Sequence, residues 1–249
     1  GDVASQLACN VLKEAISGHG AVIQMMERNP SDSSRVAVEA MLENAVQRAS
    51  SEVFEASEAI AGQGKRMGTT IDVLLVVAHT AFLAHVGDGR VYLLRDGEVH
   101  QLTRDHSVVE QQLSRGELTP EEARRSQKKN LITRALGVFD QVQVDMMNFD
   151  LLDDDKLLLC SDGLHRYLGP SELGEALLKR MDPDVPGRLI GLANRRGGRD
   201  NSTAVCVQFQ AESTAEMQMP TRQCLEALRK VPLLQFCTYR ELIMIHEVA

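Results

Sequence analysis

The spacing of apolar positions changes twice along the chain and separates helical from strand-rich stretches. Val3, Leu7, Ala8, Val11, Leu12 and Ala15 recur at helical intervals with Asp2 in the first turn, so the chain opens on an amphipathic helix that closes near Gly18-His19-Gly20. A second stripe runs through Val38, Met41, Leu42, Ala45, Val46, Ala49, Val53 and Ala56 and predicts a helix over Arg35–Ile60, ended by Gly62 and Gly64. Short runs rich in Val, Leu and Thr follow at Thr69–Ala78, Ala81–Val86, Val91–Arg95 and Glu98–Leu102. Turn signals such as His79-Thr80 and Asp96-Gly97 separate them, which predicts an antiparallel meander of hairpins.

Ser107–Asn130 is polar and helical, with Thr119-Pro120-Glu121-Glu122 forming a capped start, and reads as an excursion from the sheet. Strands return at Gln143–Phe149 and Lys156–Cys160. Helices over Pro170–Met181 and Pro186–Arg195 then precede a last strand at Ser202–Phe209. Strands in runs and helices in runs predict α+β layering instead of a doubly wound parallel sheet. The polar stretch Gln210–Pro220 reads as a linker into a helical extension, Thr221–Ala249, which is too short to hold a core of its own.

Composition narrows the function classes. The 249 residues are 43% hydrophobic with a formal charge of -8, as expected of a globular protein with one large core. No basic cluster is interleaved with aromatics, so nucleic acid is not an expected partner. The apolar runs Val73–Ala78 and Leu157–Cys160 are too short to span a bilayer and no basic-then-apolar leader opens the chain, so the expectation is a soluble, cytoplasmic protein without a membrane partner. Cys9, Cys160, Cys206, Cys224 and Cys237 lack CxxC spacing and are expected to be reduced core residues. Gly1 in place of methionine, and Ala249 inside a helical pattern, predict an excerpt of a longer polypeptide.

The chemistry lies in His85-Val86-Gly87-Asp88-Gly89-Arg90, Leu159-Cys160-Ser161-Asp162-Gly163-Leu164 and Gly197-Gly198-Arg199-Asp200-Asn201-Ser202-Thr203. Each sets an aspartate beside glycine or asparagine at a strand boundary. Any one alone is an ordinary turn former. Together, at converging strand ends, Asp88, Asp162 and Asp200 would offer the all-oxygen surroundings that Mg²⁺ or Mn²⁺ prefers. Gly163 would leave room for a ligand or a bound water, and Asn201 would brace its loop through its side chain.

These motifs, with Gly1-Asp2-Val3-Ala4-Ser5, Met67-Gly68-Thr69-Thr70, Leu102-Thr103-Arg104-Asp105-His106-Ser107 and Ile132-Thr133-Arg134-Ala135-Leu136-Gly137, resemble the bacterial PPM-type, or type 2C, metal-dependent protein serine/threonine phosphatases. The resemblance covers Gly1 to about Phe209 and defines a phosphatase domain over residues 1–209, a linker over 210–220 and an extension over 221–249. It implies a four-layer α-β-β-α sandwich of two antiparallel sheets packed face to face, with its N-terminal strands missing here. It also implies a Mn²⁺ or Mg²⁺ pair, joined by a third ion in bacterial members. Asp162 and Asp200 match the two aspartates that ligate one metal of the pair. Asp88 matches the aspartate of the third, weaker site, to which the Ser-Asp-Gly aspartate also contributes. Gly68-Thr69-Thr70 matches a strand start beside the site, and Ser107–Asn130 matches the flap beside the cleft. The implied activity is hydrolysis of phosphoserine and phosphothreonine by a metal-activated water without a phosphoenzyme. The implied partners are phosphorylated proteins and an opposing serine/threonine kinase.

The family's metal-bridging Asp-Gly motif sits just upstream of the segment matching Gly1–Ser5. Either it lies outside this sequence or the domain is a catalytically weak or inactive, partner-binding relative. Taken alone, Gly1–Ala249 is expected to bind the metal pair weakly and turn over slowly or not at all. Gly89 stands where many members have serine, with little expected effect. A metal-dependent nuclease is disfavoured by the acidic charge. Leu228–Leu234 and Tyr239–Leu242 resemble the opening helices of cyclic-nucleotide-binding domains, whose phosphate-binding segment is absent, so a nucleotide would act only through a longer parent chain. The alternative is an amphipathic tail docked on the phosphatase domain or a partner.

Other tempting residues have plainer readings. His165 is expected on an outward-facing helix, His106 as a hydrogen-bonding loop residue, His79 and His85 beside a hairpin, and His19 in a turn. Asp153-Asp154-Asp155 reads as a solvated turn, and Arg195, Arg196 and Arg199 as surface charges near the Asp200 loop.

Overall fold

The computed structural model describes residues 2–61, 67–128, 131–178, 182–198, 200–210 and 215–248. Three helices come first: α1 (Asp2–Gly18), α2 (Gly20–Arg28) and α3 (Asp32–Ala61). Four strands follow, β1 (Ile71–Val77), β2 (Thr80–Val86), β3 (Arg90–Arg95) and β4 (Glu98–Gln101), and then the short helices α4 (Val108–Ser114) and α5 (Pro120–Arg125). After β5 (Asp145–Asp150) and β6 (Lys156–Cys160) come α6 (Asp162–His165), α7 (Pro170–Leu178) and α8 (Val185–Arg195). The chain continues through β7 (Ala204–Gln208), α9 (Ala215–Lys230), a 3₁₀ turn at Pro232–Leu234 and α10 (Tyr239–Val248). No helix among the described residues is long and apolar enough to cross a membrane.

The expected α+β class holds, but the meander does not. The strands form two sheets, ordered β1-β2-β5 and β4-β3-β6-β7, so the chain leaves one sheet after β2 and enters the other at β3. The break falls at Gly87-Asp88-Gly89, read from the sequence as a hairpin turn.

The chain divides into two compact units. The first comprises Gly1–Ala78, Phe82–Asp88 and Arg104–Met147. Its core joins Ala4, Ala8, Val11, Leu12 and Ala15 of α1 to Val38, Leu42, Ala45, Val46, Ala49 and Val53 of α3, where the alanines let the helix axes approach closely. Val77, Phe82, Ala84 and Val86 of the strands close that core from the other side. Helix α2 is an addition to the expected plan. Helix α1 closes at Gly18, as expected, and α2 follows at once: the His19 ring Nδ1 donates to Ala15 O at 2.7 Å while Val22 N–H bonds back to His19 O at 3.0 Å. The capped start of α5 is as expected, with Thr119 and Glu122 exchanging side-chain-to-main-chain bonds and Pro120 in the first turn.

The second unit comprises His79–Ala81, Gly89–Thr103 and Asn148–Ala249. Its sheet is antiparallel throughout, with Arg90 opposite Cys160 and Cys160 opposite Ala204. Asp96 and Gly97 both take positive φ, 51° and 81°, the conformation of a tight two-residue hairpin. Tyr92, Leu94, Leu158 and Cys160 bury one face of this sheet against Leu173 and Leu177 of α7 and Leu189 and Ala193 of α8.

Three expectations are corrected in this unit. Asp155 is no solvated turn residue: it is 1% exposed and accepts the Leu152 N–H at 2.8 Å. The linker over 210–220 is helical from Ala215 onward, Pro220 included, while 211–214 lie outside the described residues. The cysteines are all free, but only Cys160 is buried and Cys9 is exposed.

Helices α9 and α10 lie against the β3–β4 hairpin, in agreement with a docked tail. Arg229 reaches Glu98 at 2.7 Å, Arg222 pairs with Asp96, and Tyr239 stacks on His100 with ring centroids 3.8 Å apart. Leu225, Leu242 and Ile243 are buried.

Candidate metal centre

The register of the second sheet brings three strand ends to one edge. Because Cys160 is paired with both Arg90 and Ala204, the start of β3, the end of β6 and the start of β7 lie side by side. The segments that emerge there carry the sequence motifs: Ser161-Asp162-Gly163 after β6 and Asp200-Asn201-Ser202-Thr203 before β7.

Four hydrogen bonds tie these two segments together. Ser161 N–H donates to Thr203 O at 3.2 Å and Thr203 N–H donates to Ser161 Oγ at 3.0 Å. Ser161 Oγ donates to Asn201 O at 3.3 Å, and Ser202 Oγ donates to Gly163 O at 2.8 Å. The glycine at 163 is required by this approach: a Cβ there would lie 2.3 Å from Asn201 O. The space expected for a ligand beside Gly163 is therefore filled by the Asn201 main chain. The loop is braced by that main chain and by Asp200, whose Oδ1 accepts the Asn201 N–H at 2.9 Å.

Asp162 opens the short helix α6, and its Oδ2 lies 2.5 Å from Arg166 Nη2, one turn further on. Its side chain is about a quarter exposed, and Asp200 is exposed. The sheet thus sets two carboxylates on adjacent, cross-linked segments, and one of them already has a cationic partner. As oxygen donors they fit a hard divalent cation in type. In number they are only part of a shell, and among the described residues no three His, Cys, Asp or Glu side chains form a group able to hold a metal ion.

Asp88 belongs to the first unit, in the bend that follows β2, and is partly buried. The preceding residue, Gly87, has φ of +123° and packs so tightly on Thr70 that a Cβ would meet Thr70 Cγ2 at 2.3 Å. His106 holds Gly87 by main chain and ring together, and is itself 6% exposed. Burial pushes the His106 imidazole below its ordinary pKa, opposed by the bond to Asp145. Hydrogen bonding by His106, then Arg134, keeps Asp145 far below the usual carboxylate range. His85 does not flank a hairpin but lies inside β2, 1% exposed, with Nδ1 2.7 Å from Asp72 Oδ1 and Nε2 donating to Arg104 O at 3.0 Å.

Arg134, Asp72 and Asp145 carry no recognisable signal in the sequence, although Leu102–Ser107 and Ile132–Gly137 do. Nothing in the spacing links these residues. His165 lies in α6 and is partly buried. Arg196 is engaged by Glu172 and donates to Tyr167 O at 2.7 Å, and Arg199 lies outside the described residues. β1 begins at Ile71, and Thr69, two residues earlier, makes an isolated bridge to Leu136 through bonds of 3.1 and 2.8 Å instead of starting the strand.

Comparison with known proteins gives the family context. Residues 12–184 match the family Protein phosphatase 2C. The chain is 42% identical over 147 residues to Protein phosphatase PhpP of Streptococcus pneumoniae, a match covering 59% of this chain and 60% of that protein. It is 35% identical over 209 residues to Serine/threonine phosphatase stp of Listeria monocytogenes, covering 84% of this chain and 79% of the relative. The crystal structure of the Mycobacterium tuberculosis serine/threonine phosphatase PstP/Ppp superposes with a TM-score of 0.71 at 33% identity, over 85% of this chain and 83% of that one. The catalytic domain of PstP in complex with two manganese ions superposes with a TM-score of 0.64 at 32% identity, over 84% and 82% of the two chains.

Proposed function

Because the chain belongs to the protein phosphatase 2C family, we propose that it hydrolyses phosphoserine and phosphothreonine esters of other proteins in a reaction that depends on a divalent cation. The observation that carries this reading is the cross-linked pair of segments holding Asp162 and Asp200 at the joined ends of β6 and β7. Asp162 and Asp200 would hold one cation and Asp88 a further, weaker one. Such cations, Mn²⁺ or Mg²⁺, supply a water of lowered pKa and offset charge on the phosphoryl oxygens.

This chain's own residues set the conditions. The four bonds between Ser161–Gly163 and Asn201–Thr203 hold together the two main-chain segments on which Asp162 and Asp200 sit. Arg166 neutralises Asp162 and would have to share it with a cation. Cys160 is buried in β6, and burial pushes the Cys206 thiol up to about 11, so neither of these strand cysteines is suited to act as the nucleophile. Direct transfer of the phosphoryl group to water, releasing the serine or threonine hydroxyl, fits that chemistry.

The partners are phosphoproteins, with a serine/threonine kinase as the opposing activity. A link between α9–α10 and a cyclic nucleotide rests on the resemblance of Leu228–Leu234 and Tyr239–Leu242 alone.

The test is phosphate release from matched phosphothreonine, phosphoserine and phosphotyrosine peptides with Mn²⁺, Mg²⁺ or chelator present. Release from the first two that chelator abolishes supports the reading. Release that survives chelation, or that is confined to phosphotyrosine, contradicts it.

A further inference from the structure

Asp88 is preceded by a residue whose two main-chain polar groups are both bound by a single histidine. Gly87 N–H donates to His106 Nδ1 at 3.1 Å, and His106 N–H donates to Gly87 O at 2.7 Å. On its other side Gly87 lies directly against Thr70. The peptide that leads into Asp88 is therefore fixed from two directions.

His106 is in turn held in place. Its carbonyl accepts the Thr133 N–H at 2.7 Å, and its ring packs on His85 with centroids 4.6 Å apart. Its Nε2 lies 3.3 Å from Asp145 Oδ1, the same oxygen that accepts a 2.8 Å bond from Arg134 Nη1. Arg134 Nη1 is also 3.0 Å from Nε2, so two donors converge on one carboxylate oxygen. A backbone N–H can only donate, so Nδ1 must present a lone pair to Gly87 and the ring proton must sit on Nε2. Asp145 accepts that proton's bond and so selects the tautomer that grips Gly87.

We propose that His106 is a positioning residue for Asp88, orienting its carboxylate through the Gly87 peptide, and that Asp145 sets the His106 tautomer that makes this possible. The inference rests on the reading of Asp88 as a cation ligand. It assigns work to two residues that touch neither substrate nor cation. A ligand held through such an outer hydrogen bond gains affinity because it does not have to be ordered when the cation binds.

Two isosteres separate positioning from packing. In His106→Asn the amide oxygen can take the place of Nδ1 and accept from Gly87. In His106→Gln the amide extends toward the place of Nε2 and the acceptor for Gly87 is lost. The full chain, both variants and Asp88→Asn are titrated with Mn²⁺ alone, free ion being read from its paramagnetic resonance signal, and thermal midpoints are recorded in parallel. Nitrogen-15 spectra of the imidazoles report the tautomer in the unmodified chain and need no variant to fold.

Expected are an Nε2-protonated His106, loss of the weaker class of Mn²⁺ in Asp88→Asn, and weakening of that class by about 10–100-fold in His106→Gln. In His106→Asn most of the affinity should return, even where the two midpoints fall alike. An Nδ1-protonated ring, or affinities that follow the thermal midpoints and not the isostere, would overturn the positioning role. If Asp88→Asn binds Mn²⁺ as the parent does, the assignment of Asp88 fails and the inference goes with it. If Asp88→Asn loses the ion and His106→Gln does not, only the positioning role fails.

Discussion

Arg95 and Asp155 form a two-point ion pair in the interior of the second unit, with Nε to Oδ1 at 2.9 Å and Nη2 to Oδ2 at 2.5 Å. Their side chains are 2% and 1% exposed. Arg95 Nη2 also donates to Asp150 O at 2.8 Å, and its guanidinium lies 6.0 Å from the Phe149 ring centroid. The pair pins the end of β3 to the turn between β5 and β6, and so helps set the strand whose far end carries Asp162.

Asp155→Ala leaves a buried guanidinium without its carboxylate. Loss of about 3–5 kcal/mol of stability is expected, read by denaturant unfolding. A loss under about 1 kcal/mol would mean that water reaches Arg95.

His100 supplies a pH dependence. It stacks on Tyr239 and faces Glu98, Asp96, Arg95 and Arg229, and burial lowers its pKa to about 4. The unfolded chain takes up this proton near about 6.5. Between the two values the unfolded state holds more protons, so stability is complete above about pH 6.5 and falls as the pH drops toward the folded value. Unfolding curves across that window should differ by a slope of at most about 1.4 kcal/mol per pH unit between the parent and His100→Phe. An unchanged slope would show that His100 does not titrate in this way.

Gly163→Ala forces the Ser161–Gly163 and Asn201–Thr203 segments apart. A misplacement of that size costs on the order of 10²-fold in kcat/KM. Steady-state kinetics on a phosphothreonine peptide should show that loss with the fold retained by circular dichroism. Parental activity would remove the cross-linked segments from the account.

Arg166→Gln removes the cation that occupies Asp162. Mn²⁺ binding should tighten by about fivefold, equivalent to the ~1 kcal/mol of an exposed ion pair. The effect is read by calorimetry and should shrink at high salt.

The parts legible in the sequence are those written in local periodicity. Lys156–Cys160 is a strand from end to end, and Thr119-Pro120-Glu121-Glu122 caps α5 as read. What was not legible depends on tertiary partners. Nothing near Asp155 in sequence announces Arg95, and nothing near His106 announces Asp145. The switch of sheets at Gly87 looks like a hairpin turn because glycine serves both. Gly18 ends α1 as it signals, and α2 is not legible because its nine residues, Gly20–Arg28, are too few to show a helical stripe clearly. Asp88, Asp162 and Asp200 stand out as candidates because each follows or precedes an apolar run. Their surroundings, Arg166 against Asp162 and the Asn201 main chain against Gly163, are properties of the folded chain.

The most direct test pairs two measurements on the same preparations: phosphate release from a phosphothreonine peptide with Mn²⁺, and Mn²⁺ binding by calorimetry, for the parent chain, Asp162→Asn and Asp200→Asn. The account predicts that the parent's cation-dependent release, slow as the absence of the bridging Asp-Gly motif from this chain makes it, and its Mn²⁺ binding are both lost in each variant. Release in the parent that neither substitution diminishes would contradict it.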